Sequence, residues 1–239
     1  MNGAHDLGGK HGFGEIDQSQ DMNFAAEWEE KVFALTLASG MLGCWNLDQS
    51  RSAREQMDPA HYLNSSYYEH WLFGLEQLLV ETNLLTEEEL RTGVSEPTHA
   101  ARGVEAADPE KMQKILDVGG PTLLESTGKP QFGIGDPVAV RATHPVSHTR
   151  APGYVKGKVG VIVSHHGEHI FADEHASSGR KIGKHLYGVR FEAKSLWGTT
   201  RLTADSAAST NAVYVDLFEP YLQTIAQFQQ QLGASRSIE

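Results

Sequence analysis

The chain has 239 residues, enough for one large domain or two small ones with a real core. Its 31 acidic and 20 basic side chains leave a formal charge of −11, which argues against nonspecific binding to nucleic acid or to an anionic membrane. A lone cysteine, Cys44, leaves no intrachain disulfide and none of the commonest structural zinc patterns, and the best apolar run, Val32 to Leu37, is far too short to cross a membrane.

The first stretch, residues 1–22, opens MNGAHDLGGKHGFG. It has neither the basic start nor the apolar core of a signal peptide, so a cytoplasmic location is expected. Being polar and glycine-rich, it cannot bury enough surface to fold alone. It reads as a disordered tail or as an extended arm ordered by lying on a partner.

Helical signals dominate residues 23–94. Trp28, Val32 and Leu35 recur at helical spacing behind an acidic start, and Gly40 and Gly43 punctuate the end. Asp48 suits the N-cap of a short helix through Met57, and Asp58-Pro59 suits a cap followed by the first helical position. Ser66 to Glu81 predicts an amphipathic helix with Tyr67, Trp71, Leu75, Leu78 and Leu79 on one face. Asn83 ends it, and Thr86 with Glu89 forms a capping box that Gly93 closes.

Residues 95–131 are broken by proline and glycine and read as a linker holding one helical island, Pro109 to Val118. Residues 132–239 are mainly β. Alternation at Val138/Val140, Val159/Val161/Val163, Tyr187/Val189/Phe191 and Val213/Val215/Leu217 predicts short strands without intervening helices, hence a small antiparallel barrel or roll. Gly157, Gly160 and Gly167 are read as turn markers, and Glu219 to Leu232 as a closing helix.

No complete catalytic constellation stands in the residues themselves. Nucleophile elbow, P-loop, zincin helix and dinucleotide fingerprint are all absent. His165, His166 and His169 read as exposed turn histidines, because that spacing does not aim three imidazoles at one atom. Cys44 reads as a buried small hydrophobe. Arg51 and Arg54 read as a solvated helix face, Arg150 as a surface-turn arginine, and Tyr67, His70 and Trp71 as a core face with a polar handle.

Taken in order, the motifs say more. The start MNGAHDLGG, Ala26-Glu27-Trp28-Glu29, Leu47-Asp48 with Arg51, Met57-x-Pro59-x-x-Tyr62-Leu63 and Tyr67-Tyr68-Glu69-His70-Trp71 are followed by Gly135-Asp136-x-Val138-x-Val140, His148-x-Arg150-x-Pro152-x-Tyr154, Leu196-Trp197-Gly198 and Val215-Asp216-Leu217-Phe218-Glu219-Pro220-Tyr221-Leu222. This ordered set resembles nitrile hydratase β subunits along nearly the whole chain outside the linker. The resemblance implies an α+β fold: an extended N-terminal arm and helical domain, then a C-terminal SH3-like β-barrel or roll. It implies a lyase that hydrates nitriles to amides as an αβ heterodimer, paired again as α2β2. This chain would bind no metal or other cofactor. Co(III), of the cobalt type rather than Fe(III), would sit on the α subunit and act as a Lewis acid on a small-molecule nitrile.

The resemblance also assigns residues. Arg51 and Arg150 match arginines that hold the partner's oxidised cysteines, a task for which a planar, permanently charged fork is suited and lysine is not. Tyr67 matches a tyrosine near the substrate, and His70 and His148 match histidines supporting the arginines. Leu47, Ser50 and Trp71 would line the substrate pocket, with serine standing at position 50 where relatives often carry an aromatic. Two other readings fit parts of the pattern, a thiocyanate hydrolase-type subunit and a non-enzymatic SH3-like accessory protein. The unbroken run across the linker speaks against the first, and Arg51 together with Tyr67 against the second.

Overall fold

A computed structural model describes residues 3–15, 24–96, 104–105, 108–198 and 211–236. The chain divides into two compact units. One comprises Gly3–Pro121 with Asp173–Gly179, the other Thr122–Ala172 with Arg180–Glu239.

The first unit is helical: α1 Glu27–Gly40, α2 Leu47–Glu55, α3 Pro59–Asn64, α4 Tyr67–Glu81, α5 Glu87–Thr92 and α6 Pro109–Val118, joined by most of α7, Ala172–Ser178. Local chemistry sets the boundaries. Asp58 accepts from the Ala60 and His61 amides ahead of Pro59, the Ser66 amide donates to Glu69, and Thr86 and Glu89 cap each other ahead of Gly93, which turns left-handed at φ 68°. Helix α2 begins two residues earlier than Asp48 suggests. Asn46 is its cap, accepting from the Asp48 and Gln49 amides while the Gln49 side chain takes the Asn46 amide. The core is small, built on Trp45, Ala53, Leu75 and Leu78. The apolar face expected of α1 is not fully covered: Val32 is buried, but Trp28 and Leu35 are exposed. At the start of the arm, His5 lies against Glu55 at 3.7 Å and edge-on to Tyr62. Residues 16–22 of the arm, and part of the linker, lie outside the described residues.

The second unit is an antiparallel sheet of β1 Leu123–Leu124, β2 Pro137–Val140, β3 Val159–Ile170, β4 Gly183–Glu192, β5 Ala212–Phe218 and β6 Leu222–Thr224. The order is β5-β4-β3-β2-β6, with β1 added to β3. Residues 122–128, inside the stretch expected to be linker, are thus already part of this unit. The outermost strands, β5 and β6, are consecutive in sequence, joined by the 3-10 turn Glu219–Tyr221. In a flat sheet they would stand about 19 Å apart, four spacings of about 4.8 Å. Three 3-10 residues reach only about 6 Å, so the sheet must roll until its edges meet at one corner. Among the described residues no ladder joins β5 to β6. The α+β class and the antiparallel sheet hold, and the sheet is rolled rather than closed.

Inside the roll Val138, Val140, Val155, Ile162, Tyr187, Val189, Phe191, Leu217 and Leu222 are fully buried. Gly160 is not a turn marker but lies within β3. A Cβ there would meet Val189 Cγ1 at 2.6 Å and Phe191 Cε1 at 2.8 Å, so only glycine lets these strands pack. Gly167 and the three histidines also belong to β3 rather than to a turn. The C-terminal helix, α8 being the short Ala193–Trp197, is α9 over Ile225–Arg236. It starts later than expected because residues 219–224 are used by the 3-10 turn and by pairing with β2.

Candidate functional site

Helices α2 and α4 pack face to face and bring six of the eight expected site residues onto one unit. Leu47, Ser50 and Arg51 come from α2, and Tyr67, His70 and Trp71 from α4. Arg51 Nη1 donates to Asp48 Oδ1 at 2.9 Å, a bond three residues apart on the helix. The other Asp48 oxygen lies 2.9 Å from His175 Nδ1 on α7, and Asn46 Nδ2 donates to the His175 carbonyl at 2.9 Å. Asp48 and His175 are both buried, so Arg51 projects from an internal carboxylate held on both sides. With Asn46 taking over the capping, the Asp48 carboxylate is free to serve Arg51.

His70 stacks on Tyr62 at 4.0 Å and 8°, and its Nε2 sits 2.8 Å from the Tyr62 carbonyl. Tyr67 is 64% exposed at the first turn of α4, its ring against Tyr68 and Trp71. It is a presented phenol rather than part of a core face. Leu47 is exposed and Ser50 is buried. Trp71 Nε1 is buried and has no hydrogen-bond partner among the described residues.

Arg54, four residues after Ser50, is not on a solvated face. It donates from Nη2 to Ser50 Oγ at 3.0 Å and lies over the Trp71 ring at 4.0 Å. Its stem passes Gly74 so closely that a Cβ there would stand 2.6 Å from Arg54 Cγ. Burial pushes its guanidinium below its ordinary value, partly offset by the Tyr67 phenol. It remains charged at neutral pH. Nothing local in the sequence marks Arg54 or His175, because their roles depend on helix packing and on a contact across 127 residues. The Asn46 cap was readable from Gln49 three residues on.

His148 and Arg150 belong to the β unit. His148 is buried and Arg150 is exposed. The Arg150 amide donates to the buried Tyr221 hydroxyl at 3.0 Å. The backbone is thereby fixed while the guanidinium projects, with no carboxylate partner among the described residues.

Two other arrangements carry no chemistry of their own. Ser164, His166 and Asp216 cluster on the sheet surface, but both contacts fall on His166 Nε2, at 3.1 Å each, so one nitrogen would have to serve nucleophile and orienting carboxylate together. A cavity of about 260 Å3 lies on the other face of α2, beside Cys44, Gln49, Ser52 and Gln56, and none of the expected site residues lines it. Among the described residues no three His, Cys, Asp or Glu side chains converge to hold a metal ion, and no helix is long and apolar enough to cross a membrane.

Family models decide what this arrangement belongs to. The N-terminal model of the nitrile hydratase beta subunit matches residues 1–119, and the C-terminal model matches residues 121–224. The chain belongs to the nitrile hydratase β-subunit family. The low-molecular weight cobalt-containing nitrile hydratase subunit beta of Rhodococcus rhodochrous is 37% identical over 93% of this chain and 99% of its own. The cobalt-containing nitrile hydratase subunit beta of Pseudonocardia thermophila is 35% identical over 94% and 97%. A solved thiocyanate hydrolase chain from Thiobacillus thioparus is 22% identical, covering 50% of this chain and 98% of its own at a TM-score of 0.37. Nitrile hydratase β subunits are parts of a lyase, so this chain is one part of such an enzyme.

Proposed function

We propose that this chain completes the active site of a nitrile hydratase whose metal, cobalt, is carried by an α partner in an αβ heterodimer that pairs to α2β2. Among the described residues the lone cysteine stands beside Trp45 and no cluster of three His, Cys, Asp or Glu side chains forms. The part proposed for this chain is positional and electrostatic. The observation that carries the reading is the braced arginine, Arg51 fixed through buried Asp48 by His175 and Asn46.

Hydration adds water across the C≡N bond of a small nitrile, oxygen to carbon and hydrogen to nitrogen, and ends as the amide. Arg51 and Arg150 are the cations of this chain that hold anionic groups of the partner's catalytic centre. The Arg51 fork is aimed by Asp48, and the Arg150 backbone by Tyr221. Tyr67, exposed on a rigid first turn, offers a phenol to hydrogen-bond the nitrogen end of the substrate or a water beside it. His70, stacked on Tyr62, and buried His148 hold the surrounding backbone, while Leu47, Ser50 and Trp71 wall the substrate. In domain terms, 1–22 acts as an arm, 23–94 as the helical domain, 95–131 as a connection whose stretch from 122 already runs with the sheet, and 132–239 as an SH3-like roll. The 3-10 turn between consecutive edge strands supports the last. The enzyme works in the cytoplasm.

Arg51→Lys tests the arginine. A point charge cannot form two parallel bonds, so activity of the assembled enzyme should fall by about tenfold or more. Full activity in that variant would remove Arg51 from the site.

A further inference from the structure

The helical unit presents two arginines side by side, and among the described residues only one of them has a carboxylate partner. Arg51 is paired with Asp48. Arg54 is half-buried, and among the described residues it has no carboxylate partner. It faces the Ser50 hydroxyl and the Trp71 indole. A partly desolvated cation without a counterion is costly for a protein to keep. It is also held still. Ser50 Oγ accepts one of its N–H groups, Trp71 covers its plane at 4.0 Å, and the missing side chain of Gly74 makes room for its stem. A guanidinium carries five N–H donors. Ser50 takes one from Nη2, and the rest remain for a planar anion that would bind with little ordering cost.

We propose that Arg54 is a specificity-determining residue that takes the anionic end of the substrate, so that nitriles bearing a carboxylate are the preferred class. This rests on the reading that Ser50, Trp71 and Tyr67 border the substrate. Ser50 is central to it, since its small hydroxyl brings the guanidinium to the wall instead of filling the wall itself. A neutral nitrile of the same length leaves that cation unanswered, and the difference is felt in binding rather than in the addition of water. The same carboxylate chemistry could come from the partner subunit, and the experiment separates the two sources.

The assembled enzyme would be given ω-cyanocarboxylates of increasing chain length and neutral nitriles of matched length, with the binding of the amide products followed by calorimetry. The ratio of kcat/KM, carboxylate over neutral, should exceed one at some chain length. Arg54→Met keeps the stem and removes the charge. It should lower that ratio by about ten- to a hundredfold, mainly through KM, with a parallel loss of product binding. Arg54→Lys should restore part of the preference, which a purely structural role of Arg54 would not produce. No charge preference in the natural enzyme, or an equal loss for both substrate kinds in Arg54→Met, would overturn the proposal. So would a weakened subunit assembly in that variant with the ratio intact, because the cation would then belong to a carboxylate of the partner. Hydration of neutral nitriles without charge preference overturns only the role of Arg54. No hydration of any nitrile overturns the enzyme reading as well.

Discussion

Asp48 shows how much a two-residue shift of a helix cap decides. As an N-cap its carboxylate would be spent on backbone amides. With Asn46 capping, it is an internal acceptor between Arg51 and His175. The sequence makes Arg51 visible by resemblance but leaves its brace unseen, because His175 is far away in the chain. Gly74 is equally silent in sequence, a glycine inside a strong helical pattern. In an open helix Gly→Ala would stabilise by about 1 kcal/mol. Here the added Cβ would stand 2.6 Å from Arg54 Cγ and 3.3 Å from the Arg54 backbone nitrogen, and the second atom cannot swing away. Gly74→Ala should therefore destabilise the helical unit by about 1–3 kcal/mol in urea unfolding. A gain in stability would mean that α2 and α4 are not in this contact.

Elements were legible wherever periodicity and capping agree. Helices at 59–64, 67–81, 87–92 and 109–118 and the strand alternations follow from them. What failed was punctuation inside β3. Gly160 and Gly167 look like turns, but the strand runs through both for 12 residues, since one glycine admits Val189 and Phe191 and the other coincides with a register shift. Strand β3 also places Glu168 under the segment leading into the sheet. The carboxylate accepts from the Gly128 and Thr127 amides and from the Ser126 and Thr127 hydroxyls. The Gly128 amide, then Thr127 and Ser126, hold it below its ordinary 4.5, against the effect of burial. A carboxyl depressed in the folded state contributes stability that is complete above about 4.5 and is lost as pH falls through the folded value. Glu168→Gln should lower the melting temperature at neutral pH and flatten its decline below pH 4.5. An unchanged acid decline would show that other carboxylates govern it.

At the scale of the whole molecule, the resemblance carried more than the composition could. Charge and cysteine count exclude partners and folds but name no activity, and the residues form no constellation that would act alone. The structure gives the physical reason. The helical unit has a small core and leaves Trp28, Leu35, Leu47, Leu63 and Tyr67 exposed. Exposed apolar side chains on one unit suit a surface that meets another protein. Tyr67 and Leu47 lie among those residues, so the surface that would be covered also carries the expected site.

The decisive measurement is nitrile-to-amide conversion and metal content for this chain alone and for the chain co-expressed with a nitrile hydratase α subunit in cobalt medium. Amide formation and about one cobalt per αβ pair in the co-expressed complex, with neither in the single chain, is the expected result. Cobalt or activity in the single chain, or an inert co-expressed complex, would contradict it.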